Sequence, residues 1–265
     1  MDSGKRNILN QLLQKWPAGS VAVSSWLKLQ GAYQQLMYEY EKSGWVRRIG
    51  RGAYVRAGDE IDWSGGLYAI QKQLALPVHV ADKTALQLQG YAHFLPLGQG
   101  GRLSLFGLPG TRLPAWFQRY DWGVDLRYTM ARLYADKVDM GLTGRKSGVL
   151  TVQMSAPERA MMEFLYFVPS QESFEEAALL MEGLTTLRPD LVQKLLEQCC
   201  SVKVKRLFMF LAEKNQHPWL EKLDQNRINF GKGKRVIAKE GRLDKRYNIT
   251  VPESVYAQPD AGGRR

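Results

Sequence analysis

Residues 44–58 read GWVRRIGRGAYVRAG. Two short alternating runs, one carrying Val46 and Ile49 and the other Tyr54 and Val55, flank the turn Gly50-Arg51-Gly52. Alternation interrupted by a glycine-bounded turn predicts a β-hairpin, here bearing Arg47, Arg48, Arg51 and Arg56. What precedes it narrows the fold. Ile8, Leu9, Leu12, Leu13 and Trp16 recur at helical spacing and predict a helix over 5–16, stopped by Pro17-Ala18-Gly19. Val21–Val23 reads as a short extended piece, and Ser24 or Ser25 is placed to cap a second helix carrying Trp26, Leu27 and Leu29. Gly31 breaks that helix, and a third runs over 32–43 to Gly44. Three helices followed at once by a hairpin is the order of a winged helix-turn-helix.

The third helix then has to offer a face to a partner. At 100° per residue, Tyr33, Leu36, Met37 and Tyr40 form the stripe expected to pack on the first two helices. Opposite lie Gln35, Tyr38 and Lys42, with Gln34 and Glu41 to one side and Glu39 to the other. Glutamine pairs bidentately with adenine, tyrosine and lysine reach phosphates, and an α-helix fits the major groove. The hairpin becomes the wing, with Arg51 entering an adjacent minor groove and Arg47 and Arg48 against phosphates. The expected DNA-contacting set is Ser24, Lys28, Gln34, Gln35, Tyr38, Lys42, Arg47, Arg48 and Arg51. Each feature alone is equally well explained as a solvated surface. Their order, in a basic chain, is what points to duplex DNA.

The basic character is strong: 37 Lys and Arg stand against 26 Asp and Glu, a formal charge of +11 with pI ≈ 9.6. Such a balance favours an anionic partner. Residues 1–60 and 61–154 each carry net +4, residues 155–200 carry −5, and residues 201–265 carry +8. Within the last region Lys203, Lys205, Arg206, Lys232, Lys234 and Arg235 are candidates for contact with an acidic protein or with further nucleic acid, or they form a solvated surface. The cysteines are the adjacent pair Cys199 and Cys200, which allows no disulfide framework and fits a reducing cytoplasm. No apolar run approaches the roughly 18 residues of a membrane span, and the first residues do not form a signal core, so a soluble, unexported protein is expected.

Beyond the hairpin, 59–62 reads as a linker and 64–76 as a helix ending before Pro77. Strands are expected at 78–80, 102–106, 126–133 and 149–153, with helices at 82–89 and 114–119 and a loop at 141–148. Ser155-Ala156-Pro157-Glu158 matches a capping box, and the helix behind it is apolar on nearly every side, hence central. Helices follow at 172–183, 189–199 and 202–214, then a basic hairpin formed by 234–239 and 246–251, then a frayed tail at 262–265. The expected fold class is α+β: an N-terminal winged helix over 1–60, and a larger mixed domain over 61–265 with a helical part at about 155–225 and the basic hairpin and tail at about 230–265.

The patterns that would suggest chemistry are weak. GLTGRKS at 141–147 lacks the spacing of a phosphate loop, with two residues between its glycines where that motif needs four, and its flanking strands do not suit a KH-type clamp. LGQGGRLSLFGLPG at 97–110 runs into a strand and not into the helix a phosphate site needs. His79, His93 and His217 stand apart from any ligand spacing. A triad of Ser155, His93 and Asp82 would have to spend a serine better used as a helix cap. No metal or cofactor is implied, and the chain reads as one that binds rather than catalyses.

Three stretches carry a family resemblance: VAVSSWLKLQGAYQQLMYEYEKSGWVRRIGRGAYVRAGD at 21–59, VHVADKTALQLQGYAHFLP at 78–96 and VQMSAPERAMMEFL at 152–165. In this order they resemble the AbiEi-type antitoxins of type IV toxin–antitoxin pairs, respectively the family's winged helix, the start of its C-terminal region and its Ser-Pro-Glu-Arg helix. The match spans most of residues 1–200 and is less clear over 230–265. The resemblance implies an autorepressor that binds inverted repeats in its own promoter and counteracts a nucleotidyltransferase-like toxin through its C-terminal domain, where Lys203, Lys205, Arg206, Lys232, Lys234 and Arg235 become candidate toxin contacts. An inverted repeat is matched by two protomers in opposed orientation, with no dimer required in solution. A plain winged-helix regulator with a ligand-sensing C-terminal domain, and a nucleic-acid enzyme such as a nuclease, stay open on the residues alone.

Overall fold

The computed structural model describes residues 3–91, 101–135, 139–238 and 240–253. Among them no helix is long and apolar enough to cross a membrane. The chain divides into two compact units, one made of Met1–Val80, Gly98–Ala131 and Thr143–Met154, the other of Ala81–Leu97, Arg132–Leu142 and Ser155–Arg265. His93, the first part of the glycine-rich stretch and the tail at 262–265 lie outside the described residues.

The first unit begins with α1 (Ser3–Lys15), β1 (Ala22–Val23), α2 (Ser24–Leu29), α3 (Gln34–Lys42), β2 (Val46–Gly50) and β3 (Ala53–Arg56). The strands form a sheet in the order β1-β3-β2, all antiparallel, with Ala22 opposite Tyr54 and Arg48 opposite Tyr54 on the other side. This is the order of three helices and a hairpin expected from the sequence. Its core is the apolar periodicity read inward: Leu9, Leu12 and Trp16 of α1 meet Leu27, Met37, Tyr40 and Tyr54. The Trp16 ring stands edge-on to Trp26 with centroids 6.3 Å apart, and its N–H donates to the Ser20 carbonyl at 2.9 Å, so the buried indole loses no hydrogen bond. The free edge of β1 is closed by the Gln73 amide, which accepts from the Val23 N–H at 2.9 Å and donates to the Val21 carbonyl at 2.8 Å.

Three local expectations are corrected here. Neither Ser24 nor Ser25 caps α2; Val23 holds the cap position in extended geometry. The chain enters α2 straight from β1, and the Ser24 N–H donates instead to the carbonyl of Gly52 at the wing tip, 2.9 Å away. Tyr33 does not join the buried stripe of α3, because the helix starts one residue later and leaves it 59% exposed at the cap. Residues 59–62 are not slack: Asp59 accepts from the Gly19 N–H at 2.8 Å and pairs with Arg56 at 3.5 Å, and Asp62 caps the next helix by accepting from Ser64 and Gly65.

That helix, α4 (Trp63–Tyr68), runs into a π turn at Ala69–Gln73 and so covers the segment expected as one helix. The rest of the first unit is a five-stranded sheet, with α6 (Ala115–Arg119) between two of its strands. In order it holds β6 (Asp125–Met130), β5 (Arg102–Gly107), β4 (Val78–Val80), β8 (Leu150–Ser155) and β7 (Leu142–Ser147). β4 is antiparallel to β5 and parallel to β8, and β5 is parallel to β6. The loop expected at 141–148 is therefore a strand. As the edge of the sheet, β7 needs only one partner and faces solvent, so its polar LTGRKS carries no apolar alternation to announce it.

The second unit is built around α7 (Pro157–Phe167), most of whose residues are buried. α5 (Asp82–Leu88), α8 (Phe174–Gly183), α9 (Pro189–Gln198) and α10 (Val202–Lys214) pack around it. The capping box expected at its start does not form. Pro157 is the first helical residue, Ala156 takes the cap position, and Ser155 belongs to β8. The Ser155 hydroxyl donates to the Glu163 carboxylate at 2.6 Å, and Glu158 takes the Arg188 guanidinium and N–H at 2.9–3.0 Å. Burial pushes the Glu158 carboxyl up, yet the bonds from Arg188 together outweigh it and leave the pKa below the ordinary carboxylate value. The basic hairpin expected near the end is re-paired: β11 (Ile249–Val251) is antiparallel to β10 (Arg242–Asp244) and parallel to β9 (Arg235–Val236).

Candidate nucleic-acid interface

An open groove of ≈ 1460 Å³ runs between the exposed side of α3 and the wing. Gln34, Gln35 and Tyr38 line it from α3, Ser24 and Lys28 from α2, and Arg48 and Arg51 from the hairpin. The helix phase explains the first group: Met37 and Tyr40 turn inward, and residues on the other side of the helix are left to solvent. Tyr38 is 62% exposed, far more than a packed aromatic, and Tyr33 beside it also lines the groove. Sequence reasoning missed Tyr33. The break at Gly31-Ala32 was the available signal, since a helix delayed past it leaves Tyr33 outside the repeat.

The arginines differ in what they can do. Arg48 donates to the Tyr54 hydroxyl at 2.8 Å, lies over that ring at 5.3 Å, and sits 3.8 Å from Glu41. The Tyr54 hydroxyl, with Glu41 adding to it, holds the guanidinium above its ordinary pKa. Arg51 and Lys28 are exposed, and among the described residues neither meets a carboxylate. Lys42 and Arg47 are exposed but do not line the groove. Lys42 is the last residue of α3, one turn past Tyr38. Arg47 pairs in register with Val55, on the sheet face opposite Arg48 and Tyr54.

The wing is fixed at both ends. Gly52 has φ +75°, a left-handed conformation open to glycine, and its carbonyl holds the first turn of α2. Gly50 lies against Trp116 of α6, where an added Cβ would be 2.6 Å from the tryptophan Cβ. Gly50→Ala is accordingly expected to lower stability by about 1–3 kcal/mol in urea unfolding. The wing would shift off α6, so the groove should bind its ligand more weakly even where the variant remains folded.

The six C-terminal candidates do not form one surface. Lys203 donates to the carbonyls of Tyr166 and Val168 at 2.7 and 2.6 Å, and burial holds its ammonium below the ordinary lysine value. Lys205 is buried. Arg206, also buried, donates to four backbone carbonyls, those of Phe230, Gly231, Gly233 and Asn248, at 2.6–3.1 Å. Lys232, Lys234 and Arg235 are exposed.

Comparison with known proteins covers nearly the whole of this architecture. Residues 5–97 match a family described as "Transcriptional regulator, AbiEi antitoxin N-terminal domain", and residues 101–252 match one described as "Transcriptional regulator, AbiEi antitoxin, Type IV TA system". No curated protein matches the chain. Among solved structures it is similar to the crystal structure of the RV2827C protein from Mycobacterium tuberculosis, at 12% identity and a TM-score of 0.55, over 94% of this chain and 91% of that one. At that identity the likeness speaks for the fold.

Proposed function

Because the chain belongs to the AbiEi family of antitoxin transcriptional regulators, we propose that it represses its own operon by seating α3 in the major groove of inverted-repeat DNA, with the wing in an adjacent minor groove. The observation that supports this is the groove itself: two glutamines, two exposed tyrosines, a lysine and two arginines along one open surface. Gln34 and Gln35 supply base-edge donors and acceptors, and Tyr38 and Lys28 reach backbone phosphates. Arg51, at the tip of a turn bounded by two glycines, is the side chain to enter the narrower groove. Two protomers in opposed orientation occupy the two arms of the repeat. The second unit counteracts a nucleotidyltransferase-like toxin, and its exposed Lys232, Lys234 and Arg235 are the side chains of the candidate set free to touch it.

The test of the DNA reading is titration of the full chain with a duplex taken from immediately upstream of its coding sequence. Lys28→Ala combined with Arg51→Ala is expected to weaken binding and to flatten the log–log salt dependence by about 0.9 for each phosphate no longer neutralised. Affinity and slope identical to the parent protein would reject the groove as the DNA site. The antitoxin arm is read by co-expression with the adjacent gene: growth rescue supports it, and unrelieved toxicity rejects it.

A further inference from the structure

We propose that the duplex contact continues past the wing onto α6, where Arg119 and Arg47 form a second row of contacts to the sugar-phosphate backbone; this rests on the DNA reading above. Arg47 lies on the sheet face away from the groove, and Gly50, in register with Ala53 after the bulge, lies on that same face. Gly50 is seated on Trp116. Arg119 follows Trp116 by three residues in the same helix, so it projects from the side of α6 that meets the wing. Arg47 and Arg119 therefore flank one contact, although 72 positions separate them in the chain.

Both side chains are exposed, and among the described residues neither meets a carboxylate or a carbonyl. Some exposed arginines are paired, Arg102 with Asp125 at 3.3 Å, Arg227 with Glu197 at 3.0 Å and Arg246 with Glu213 at 2.9 Å, whereas Arg47 and Arg119, like Arg51 at the wing tip, are left for an outside partner. An unpaired guanidinium on each side of a fixed contact is suited to a partner whose charges come at regular spacing, and the phosphate backbone is such a partner. The absence of a Cβ at Gly50 keeps wing and helix in van der Waals contact, so the two charges hold their separation. The ligand is the backbone of the same duplex just beyond the segment read by α3. Its contribution is independent of base sequence.

The experiment measures salt dependence with the upstream duplex and with an unrelated duplex of equal length, for the parent chain, Arg119→Ala, Arg47→Ala with Arg119→Ala, and Arg119→Lys. The expected result is a slope smaller by about 0.9 for each arginine removed, on both duplexes, with Arg119→Lys restoring the parent slope. If Lys28→Ala with Arg51→Ala flattens the slope while Arg119→Ala, alone and combined with Arg47→Ala, matches the parent, the α6 row is overturned and the groove assignment stands. If the parent chain binds neither duplex, both assignments fall together.

Discussion

Arg206→Ala is expected to destabilise the protein by about 3 kcal/mol, read as a lower urea midpoint. The side chain is buried, and its guanidinium bridges the carbonyls of Phe230, Gly231, Gly233 and Asn248. Charge-assisted bonds of this kind contribute about 1.5–3 kcal/mol each, and some of the freed carbonyls regain water, so the loss falls well short of their sum. The damage should be local. Without Arg206, segment 230–251 is tied to α10 through Glu213, which accepts from the Tyr247 hydroxyl at 2.6 Å and pairs with Arg246 at 2.9 Å, so hydrogen exchange in β9–β11 should accelerate before that of α7 does. The exposed Lys232, Lys234 and Arg235 ride on this segment, so toxin rescue should suffer while binding to the upstream duplex persists.

Glu163→Gln is the second large effect, expected at about 3–5 kcal/mol. Glu163 is fully buried and accepts from Arg159 at 2.8 Å and from Ser155 at 2.6 Å. Arg159 is nearly as buried, lies over the Tyr134 ring at 5.0 Å, and donates to the Met140 carbonyl at 2.8 Å. Neutralising the carboxylate removes the negative charge 2.8 Å from a buried cation, and that loss of charge, more than the missing hydrogen bond, carries the cost. Replacing both members with leucine should therefore cost less than the single glutamine variant. A double variant at least as unstable as the single one would mean that the hydrogen bonds, and not the orphaned ion, hold the site together.

How far such features could be read from the sequence follows from what each depends on. The three helices and the hairpin of the first sixty residues were legible because their signals are local: Leu9, Leu12 and Trp16 repeat at one helical spacing, and Gly50-Arg51-Gly52 marks a turn within a few residues. The central helix was legible for the same reason, since almost every side of 157–167 is apolar. The capping box failed because two hydrogen-bonding schemes competed for Ser155, and the one that won involves Glu163, a full two turns further on. β7 was invisible because an edge strand facing solvent has no hydrophobic period. Lys203 and Arg206 looked like surface because such a cation is recognisable only by the carbonyls it meets, and those lie 35 and 37 positions from Lys203 and 24 to 42 from Arg206. In the groove, Gln35, Tyr38 and Arg51 follow from helix phase and turn position, whereas the exclusion of Arg47 needed the strand register.

The seat of Gly50 on Trp116 also sets an order of events during synthesis. The helices of the first sixty residues can bury their core with Val46 and Tyr54 of the β-ribbon, but the ribbon's other face, at Gly50, has no seat until Trp116 arrives. At about 5–20 residues per second the intervening 66 positions take roughly 3–13 s to translate. A nascent chain in that interval has α3 in place and the wing tip held through Gly52 but not yet seated on Trp116, so the groove should reach its final shape only after that tryptophan has emerged.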